Sequence, residues 1–364
     1  MRAAVYRSNR DVRIEERPRP KAGPGETVFR VEASGICGSD VMEWYRIRKA
    51  PVVLGHEVAG EVVETGRGVT AFRPGDRIVA THHVPCMECR YCLAGHHPYC
   101  DTLRATTFDP GGFAERVRLP QVNVERGTLR IPGGVSYEEA TFVEPLACVV
   151  RALRVARFEP GGSLAVLGSG LSGILFVRLA KALGSGPVAA TDLHPYRLDF
   201  ALRSGADAAL DARREDLAGA VRSALGGRGA DLVAVCTAAL PAIEQALRFA
   251  DRGGTVLLFA PASPGETFPF PLFDAWNLGL TIVHSYAGPP GRHARRPRPD
   301  RLEARGRCLD DHASPPARGD AGRVPPRRRG GRVHEGHRRA AAVGRIRRPG
   351  SRQRRERRSP RSPA

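Results

Sequence analysis

Apolar and polar residues alternate along this chain in two distinct rhythms. Up to about residue 150 the apolar runs are short and β-branched: VFRVEAS at 28–34, VAGEVVETG at 58–66 and GDRIVATH at 75–82, each bounded by Gly or Pro. That pattern predicts a small all-β barrel. From about residue 152 the runs LAVLG, PVAATD, ADLVAVC, GTVLLFA and LTIVHSY alternate with helical stretches such as 171–183 and 195–204. Strands alternating with helices of that length predict an α/β, doubly wound parallel sheet. The boundary itself reads as helical, through residues 137–156. A chain of 364 residues accommodates two such domains, expected at 1–150 and 151–287. No internal repeat is visible, and no run of about 18 apolar residues suggests a membrane span.

Both rhythms stop near residue 288. All 22 Phe, Tyr and Trp lie before it, and residues 288–364 hold 24 Arg against 7 acidic residues, leaving 33 basic against 31 acidic residues before them. The net charge of +19 therefore belongs to the tail and not to the domains. A segment of Arg, Pro, Gly and Ala without aromatics cannot bury enough apolar area to offset its ordering entropy, so it is expected to be disordered. Its composition is that of a GC-rich gene read out of frame. Advancing the frame by one nucleotide permits strings such as THRLPLAE, AFRLVAE and SMKVIV, in a test that third-position freedom makes permissive. We read the tail as frame-shifted from near residues 288–292. The rival reading is a basic arm, centred on RRRGGR at 327–332, that grips a polyanion through Arg–phosphate contacts. The tail has no aromatic for base stacking, so nucleic acid is not expected as a partner.

Of eight cysteines, Cys86, Cys89, Cys92 and Cys100 fall in one short segment, separated by two, two and seven residues. Four thiolates so spaced, on a loop turned by Gly95 and Pro98, match a closed tetrahedral zinc site, expected as a lobe at 84–102. Two disulfides in a secreted domain are the alternative. The N-terminal MRAAVYRSNRDVRIEERP has no apolar core of the length export needs, so a reducing cytoplasm is expected. Cys148 and Cys236 sit in apolar stretches and read as core, and Cys308 lies in the tail.

After the strand-like run at 164–167 comes Gly168-Ser169-Gly170-Leu171-Ser172-Gly173, opening an amphipathic helix. Gly168 would make the tight turn, Gly170 admit a pyrophosphate to the backbone, and Gly173 allow close helix packing. Such a glycine run alone is often a flexible loop. Here Asp192 follows 19 residues after Gly173, at the end of the next strand. Its carboxylate suits an adenosine ribose and repels a 2′-phosphate, so NAD is expected before NADP, with nearby Arg197 keeping NADP open. The bland reading of Asp192 is a solvated acid at a strand end.

Upstream stand Gly35-Ile36-Cys37-Gly38-Ser39-Asp40 and Gly55-His56-Glu57, and beyond the quartet Phe142-Val143-Glu144-Pro145. Together with the quartet and the glycine turn, these segments resemble the zinc-dependent medium-chain dehydrogenases over about residues 1–287. The likeness is nearest to the sorbitol (polyol) and threonine dehydrogenase branch, because Glu144 occupies the position where the alcohol dehydrogenase branch has a cysteine ligand. The resemblance implies a GroES-like catalytic barrel followed by a Rossmann domain. It implies a catalytic zinc on Cys37 and His56, with Glu57 and Glu144 in or next to its shell, and the four-cysteine site as the structural zinc. It also implies a small alcohol or polyol substrate, with threonine-type amino alcohols as an alternative, and a homodimer or homotetramer.

In this family Ser39 would pass the alcohol's proton outward, but Met42 stands where the family often has His, so the route beyond Ser39 is open. Neither His82 nor His83 is assigned to that route. Trp44, Tyr45 and Thr107 give the pocket size and polarity without naming a substrate. The family's chain returns to complete the barrel, and the tail here does not match that return. A zinc- and nucleotide-binding chain without turnover is therefore the remaining alternative.

Overall fold

The computed structural model describes residues 1–289. The expectations for the chain beyond, namely disorder, the shifted frame and the place of Cys308, lie outside the described residues.

The β-branched runs of the first part pair as an antiparallel five-stranded sheet. Its order is Arg116–Leu119, Thr27–Gly35, Glu57–Thr65, Arg77–Ala80, Thr128–Arg130. Alternate side chains point inward, and Phe29, Val58, Val62, Ile78, Val117 and Leu119 form the core against which the sheet curls. Register shifts between Val28 and Phe29 and between Val31 and Ala33 bend its longest pairing, as bulges do. A second, three-stranded sheet joins Asp11–Glu16, Arg2–Ser8 and Val52–Val53. The hydropathy pattern does not predict the strand Asp11–Glu16, because its apolar residues Val12 and Ile14 stay exposed and leave it without a buried face.

The second part is a six-stranded sheet, parallel throughout. Its order is Ala208–Asp211, Val188–Asp192, Leu164–Leu167, Ala230–Val235, Ala250–Leu258, Thr281–His284. Every residue of Leu164–Leu167 and Val188–Asp192 is buried, as strands covered on both faces require. Helices Leu171–Ala182 and Leu240–Phe249 contribute to the two apolar cores, one built around Phe176 and the other around Phe249. The order reverses at Leu164–Leu167, and ligands of such sheets bind beyond the strand ends at that switch point.

The connecting segment departs from the single helix expected over 137–156. It forms two helices, Tyr137–Thr141 and Val143–Val155. Ser136 caps the first, accepting from the N–H of Glu139, whose carboxylate accepts from the Ser136 N–H. Pro145 explains the break. A continuous helix would press its ring on the carbonyl of Thr141, whereas in the first turn of a new helix its missing N–H leaves no bond unmade. The restart buries Glu144, at 4 % exposure, beside the barrel's polar residues.

Candidate active site

The cysteine lobe is built locally. Met87 takes a positive φ of 67° and Gly95 one of 80°, turning the chain so that Cys86, Cys89, Cys92 and Cys100 face inward. The four sulfurs all lie within 4.8 Å of one another. Cys100 Sγ is 3.6 Å and Cys92 Sγ 4.0 Å from Cys86 Sγ, far beyond the roughly 2.05 Å of a disulfide, and all four thiols are free. The backbone N–H of Cys86 donates to Cys100 Sγ at 3.4 Å, and that of Cys89 to Cys86 Sγ at 3.4 Å. Burial disfavours ionisation of Cys100, but the backbone N–H groups of Cys86 and Leu103, with the neighbouring Cys86 and Cys92 thiols, outweigh it and bring the thiol down to about 6. Converging sulfurs already solvated by backbone donors fit a thiophilic cation.

The second cluster is assembled from distant segments. Cys37 caps the turn Gly38–Val41, its sulfur accepting from Ser39 N–H at 3.5 Å while Asp40 Oδ2 accepts from Cys37 N–H at 3.1 Å. Glu57 opens the strand Glu57–Thr65, directly opposite Gly35. A Cβ on Gly35 would fall 2.2 Å from Glu57 Oε2, so only glycine leaves room for this carboxylate. Cys37, His56 and Glu57 bring one ligand atom each within 4.8 Å of the others. His56 Nδ1 stands 3.5 Å from Asp40 Oδ1, which orients the ring as an outer carboxylate orients a metal-bound histidine.

Burial opposes a charge on His56, yet Asp40, Cys37 and the Glu144 charge push it up to about 10, so a proton competes with a metal for its lone pair. Burial lifts Glu57 to about 7 against the pull of His56. Glu57 Oε1 is buried without a hydrogen-bond partner. A thiol, an imidazole and an unpartnered carboxylate oxygen fit a zinc ion with an open position.

Glu144 joins a neighbouring group. It lies with His82 and His83, their ligand atoms within 4.8 Å of one another, and its Oε1 is 4.0 Å from His82 Nδ1. The His82 ring is tilted against both His56, at 4.6 Å, and His83, at 3.6 Å, so the two groups meet at His82. Cys148, expected as plain core, is half-buried with Sγ 3.7 Å from Glu144 Oε1. Burial and the Glu144 charge push its thiol well up. Ser39 Oγ accepts from Arg46 Nη2 at 2.7 Å, and Arg46 also reaches Ser39 O at 2.9 Å and Asp40 Oδ1 at 3.3 Å. A guanidinium only donates, so no proton acceptor follows Ser39 on that side. Asp40, Arg46, His82, His83 and Tyr286 carry no assignment from sequence; of these, only the Cys37–Asp40 spacing of a capped turn was a readable signal.

The glycine turn lies at the switch point of the parallel sheet. Gly168 has φ 92°, and a Cβ on Gly173 would sit 2.1 Å from Gly168 O, so the helix beginning at Leu171 can approach only through glycine. No heavy atom lies within 4 Å of the place of a Gly170 Cβ, which leaves that backbone open. Asp192 is buried, not a solvated strand-end acid. Its Oδ2 accepts from Ser169 N–H at 2.8 Å and its Oδ1 from His194 N–H at 3.0 Å, with Arg197 Nη1 3.5 Å away.

A cysteine-bearing barrel joined to a dinucleotide-type sheet, with a mixed Cys-His-Glu cluster beside a closed cysteine cage, defines the metal-dependent dehydrogenase class. Residues 23–129 match the family described as Alcohol dehydrogenase GroES-like domain, and residues 173–296 match Zinc-binding dehydrogenase. The chain is 34 % identical to a sorbitol dehydrogenase of Bacillus subtilis over 73 % of its own length and 76 % of that protein's. It is 36 % identical to an L-threonine 3-dehydrogenase of Bacillus licheniformis over 68 % and 72 %. Among solved structures, an alcohol dehydrogenase from Thermus sp. ATN1 aligns with TM-score 0.70 and 31 % identity, covering 79 % of this chain and 85 % of that one. A zinc-binding dehydrogenase from Sinorhizobium meliloti, bound to NADP, aligns at 0.72 and 30 %, covering 80 % and 85 %. The chain belongs to the zinc-dependent medium-chain dehydrogenases, the alcohol and polyol dehydrogenase family.

Proposed function

We propose that this chain uses zinc and NAD to interconvert a secondary alcohol or polyol and its ketone, with Cys37, His56 and Glu57 as the catalytic metal ligands. The observation that carries this assignment is the buried Glu57 carboxylate, its Oε1 unpartnered and one of its oxygens within 4.8 Å of the Cys37 and His56 ligand atoms. A zinc held by these residues would lower the pKa of a substrate hydroxyl so that its proton is lost to solvent, and bound NAD would take up the hydride from the carbon. Asp40 fixes the His56 ring. Arg46 fixes the Ser39 hydroxyl, which would hydrogen-bond the substrate oxygen. Glu144, beside His82 at 4.0 Å, would act next to the metal. Cys86, Cys89, Cys92 and Cys100 hold the structural zinc and do no chemistry.

Gly168, Gly170, Leu171 and Gly173 would seat the pyrophosphate, and Asp192 the ribose, with NAD preferred over NADP. The division into domains 1–150 and 151–287 belongs to this proposal. So do a homodimer or homotetramer, for which exposed Leu272, Phe273 and Trp276 offer an apolar face, and a cytoplasmic location. No helix among the described residues is long and apolar enough to cross a membrane.

The test is NADH formation by the zinc-reconstituted full chain with sorbitol and with L-threonine. Turnover of sorbitol above threonine supports the polyol reading, and the reverse order supports the amino-alcohol alternative. Two bound zinc ions and NADH binding without oxidation of these or of any alcohol in a panel of secondary alcohols and polyols single out the catalytically defective chain.

A further inference from the structure

Two imidazoles beside Glu144 have no part in the chemistry proposed above. His82 and His83 follow the strand Arg77–Ala80, and Glu144 lies in the first turn of the helix Val143–Val155. One ring nitrogen of each histidine and one Glu144 oxygen lie within 4.8 Å of one another, and this group shares no residue with Cys37, His56 and Glu57 or with the cysteine cage.

The Nδ1 atoms of His82 and His83 are both buried with no hydrogen-bond partner among the described residues. Buried polar atoms are nearly always partnered, so two on adjacent residues call for a group that meets them. A neutral imidazole carries one N–H and one lone pair, and burial keeps both rings neutral, with His83 down to about 3. His83 Nε2 meets the Tyr286 hydroxyl at 3.2 Å. With that nitrogen donating, the lone pair of His83 falls on Nδ1, the way an outer hydrogen bond sets a metal-binding tautomer. His82 Nδ1 stands 4.0 Å from Glu144 Oε1, too far for a hydrogen bond. Glu144 Oε1 is itself held by the Cys148 thiol, with Sγ at 3.7 Å. A tetrahedral ion with bonds of about 2.1 Å keeps its donors roughly 3.4 Å apart, so the His82–Glu144 pair needs to close by only about 0.6 Å around a cation.

We propose that His82 and His83, through Nδ1, and Glu144, through its carboxylate, form a third metal site, for a divalent transition-metal ion, beside and separate from the cluster of Cys37, His56 and Glu57. Two nitrogens and an oxygen, with no sulfur, suit zinc, cobalt or iron(II) and not calcium or a strictly thiophilic ion. The positive charges of Arg46 and Lys49 are felt at both imidazoles, and no thiolate takes part, so this ion is held more weakly than the other two. It would tie the loop at 82–83 to the connecting helix. The site does not depend on the dehydrogenase reading.

The full chain is first loaded to two zinc ions and then titrated with further zinc by calorimetry. One more saturable equivalent is expected. His83→Asn should weaken it about a hundredfold or more, beyond the ten- to hundredfold that loss of an outer partner costs. His82→Gln should do the same, so that one misfolded variant does not decide the matter. Cys37→Ser, loaded in the same way, should lose the equivalent of the open cluster and keep this weaker one. Cobalt reports the donors in the unaltered chain: the first two equivalents should bring sulfur-to-metal charge-transfer absorption, and the third only ligand-field bands.

Saturation at two, a third equivalent unaltered in the histidine variants, or charge transfer on the third overturns the site. Loss of the third equivalent in Cys37→Ser also overturns it, since the two clusters would then hold one ion between them. Every readout is bound metal, so a chain that turns over no alcohol can still fill this site.

Discussion

The two halves of the described chain bury polar groups in opposite ways. In the barrel half Asp40, His56 and Glu57 are all under a tenth exposed, with Glu144 of the connecting helix beside them. Glu57 Oε1 and the Nδ1 atoms of His82 and His83 have no hydrogen-bond partner. In the parallel-sheet half the buried acid is Asp192, and both of its oxygens accept backbone N–H bonds. An unpartnered buried polar group costs about 1–3 kcal/mol. The first half therefore carries a cost at its charged cluster that a cation relieves, while in the second the buried acid is fully satisfied, Ser185 Oγ being its one unpartnered buried side-chain atom among the described residues, and a ligand is offered mainly backbone. Single side-chain changes should accordingly do great damage in the first half and little in the second.

The largest effect is expected in the cysteine lobe. Zinc binding in small peptides contributes about 10–16 kcal/mol, as much as the roughly 5–15 kcal/mol that holds a whole domain. Cys92→Ser, at a buried sulfur, should lose one zinc per chain, lower the melting temperature sharply and expose the lobe to protease. Retained zinc with an unchanged melting curve would mean that the lobe is held by its N–H to sulfur bonds alone. Next is Cys37→Ser. It should also lose one zinc and cut kcat/KM by about a thousandfold, the several kcal/mol a Lewis acid supplies, while leaving the fold cooperative. A collapse of the fold would show that the open cluster is as structural as the closed one, and would erase the distinction between them.

A finer cut separates the two carboxylates. Glu57→Gln should abolish stoichiometric zinc at the open site. Glu144→Gln should keep it with affinity weakened about ten- to hundredfold, as loss of an outer partner does. Metal analysis after dialysis against a graded chelator reads both. The reverse ranking would make Glu144 the ligand and Glu57 the outer group.

Why sequence left that choice open is physical. The cysteine quartet, the glycine turn and the alternating strands are local patterns, each enclosed within one or two elements, so spacing alone declares them. The placement of Glu144 depends on Pro145 breaking the connecting helix and on the His82 ring filling the space beside His56, and neither follows from spacing. The strand Asp11–Glu16 is not legible in the sequence because it has no buried face to impose a period. The Ser39–Arg46 bond spans seven residues and two turns of different kinds, 3₁₀ and α, so helical periodicity gives no clue to it.

The smallest effect tests the sheet half. Asp192→Asn removes a charge while keeping one acceptor oxygen, so one of the two N–H groups of Ser169 and His194 retains its partner and the turn should survive with a melting temperature lower by a few degrees. Arg197, 3.5 Å from the carboxylate, is then released from its acid. A 2′-phosphate meets less repulsion and one freed guanidinium, whereas the ribose of NAD loses its acceptor. We expect kcat/KM with NAD to fall about tenfold, about 1.4 kcal/mol, and that with NADP to rise. Adding Arg197→Ala should cancel the NADP gain without restoring NAD. If neither cofactor's kcat/KM moves while the melting temperature drops, Asp192 serves only to brace Ser169, and cofactor choice in this chain rests on the backbone of the glycine turn.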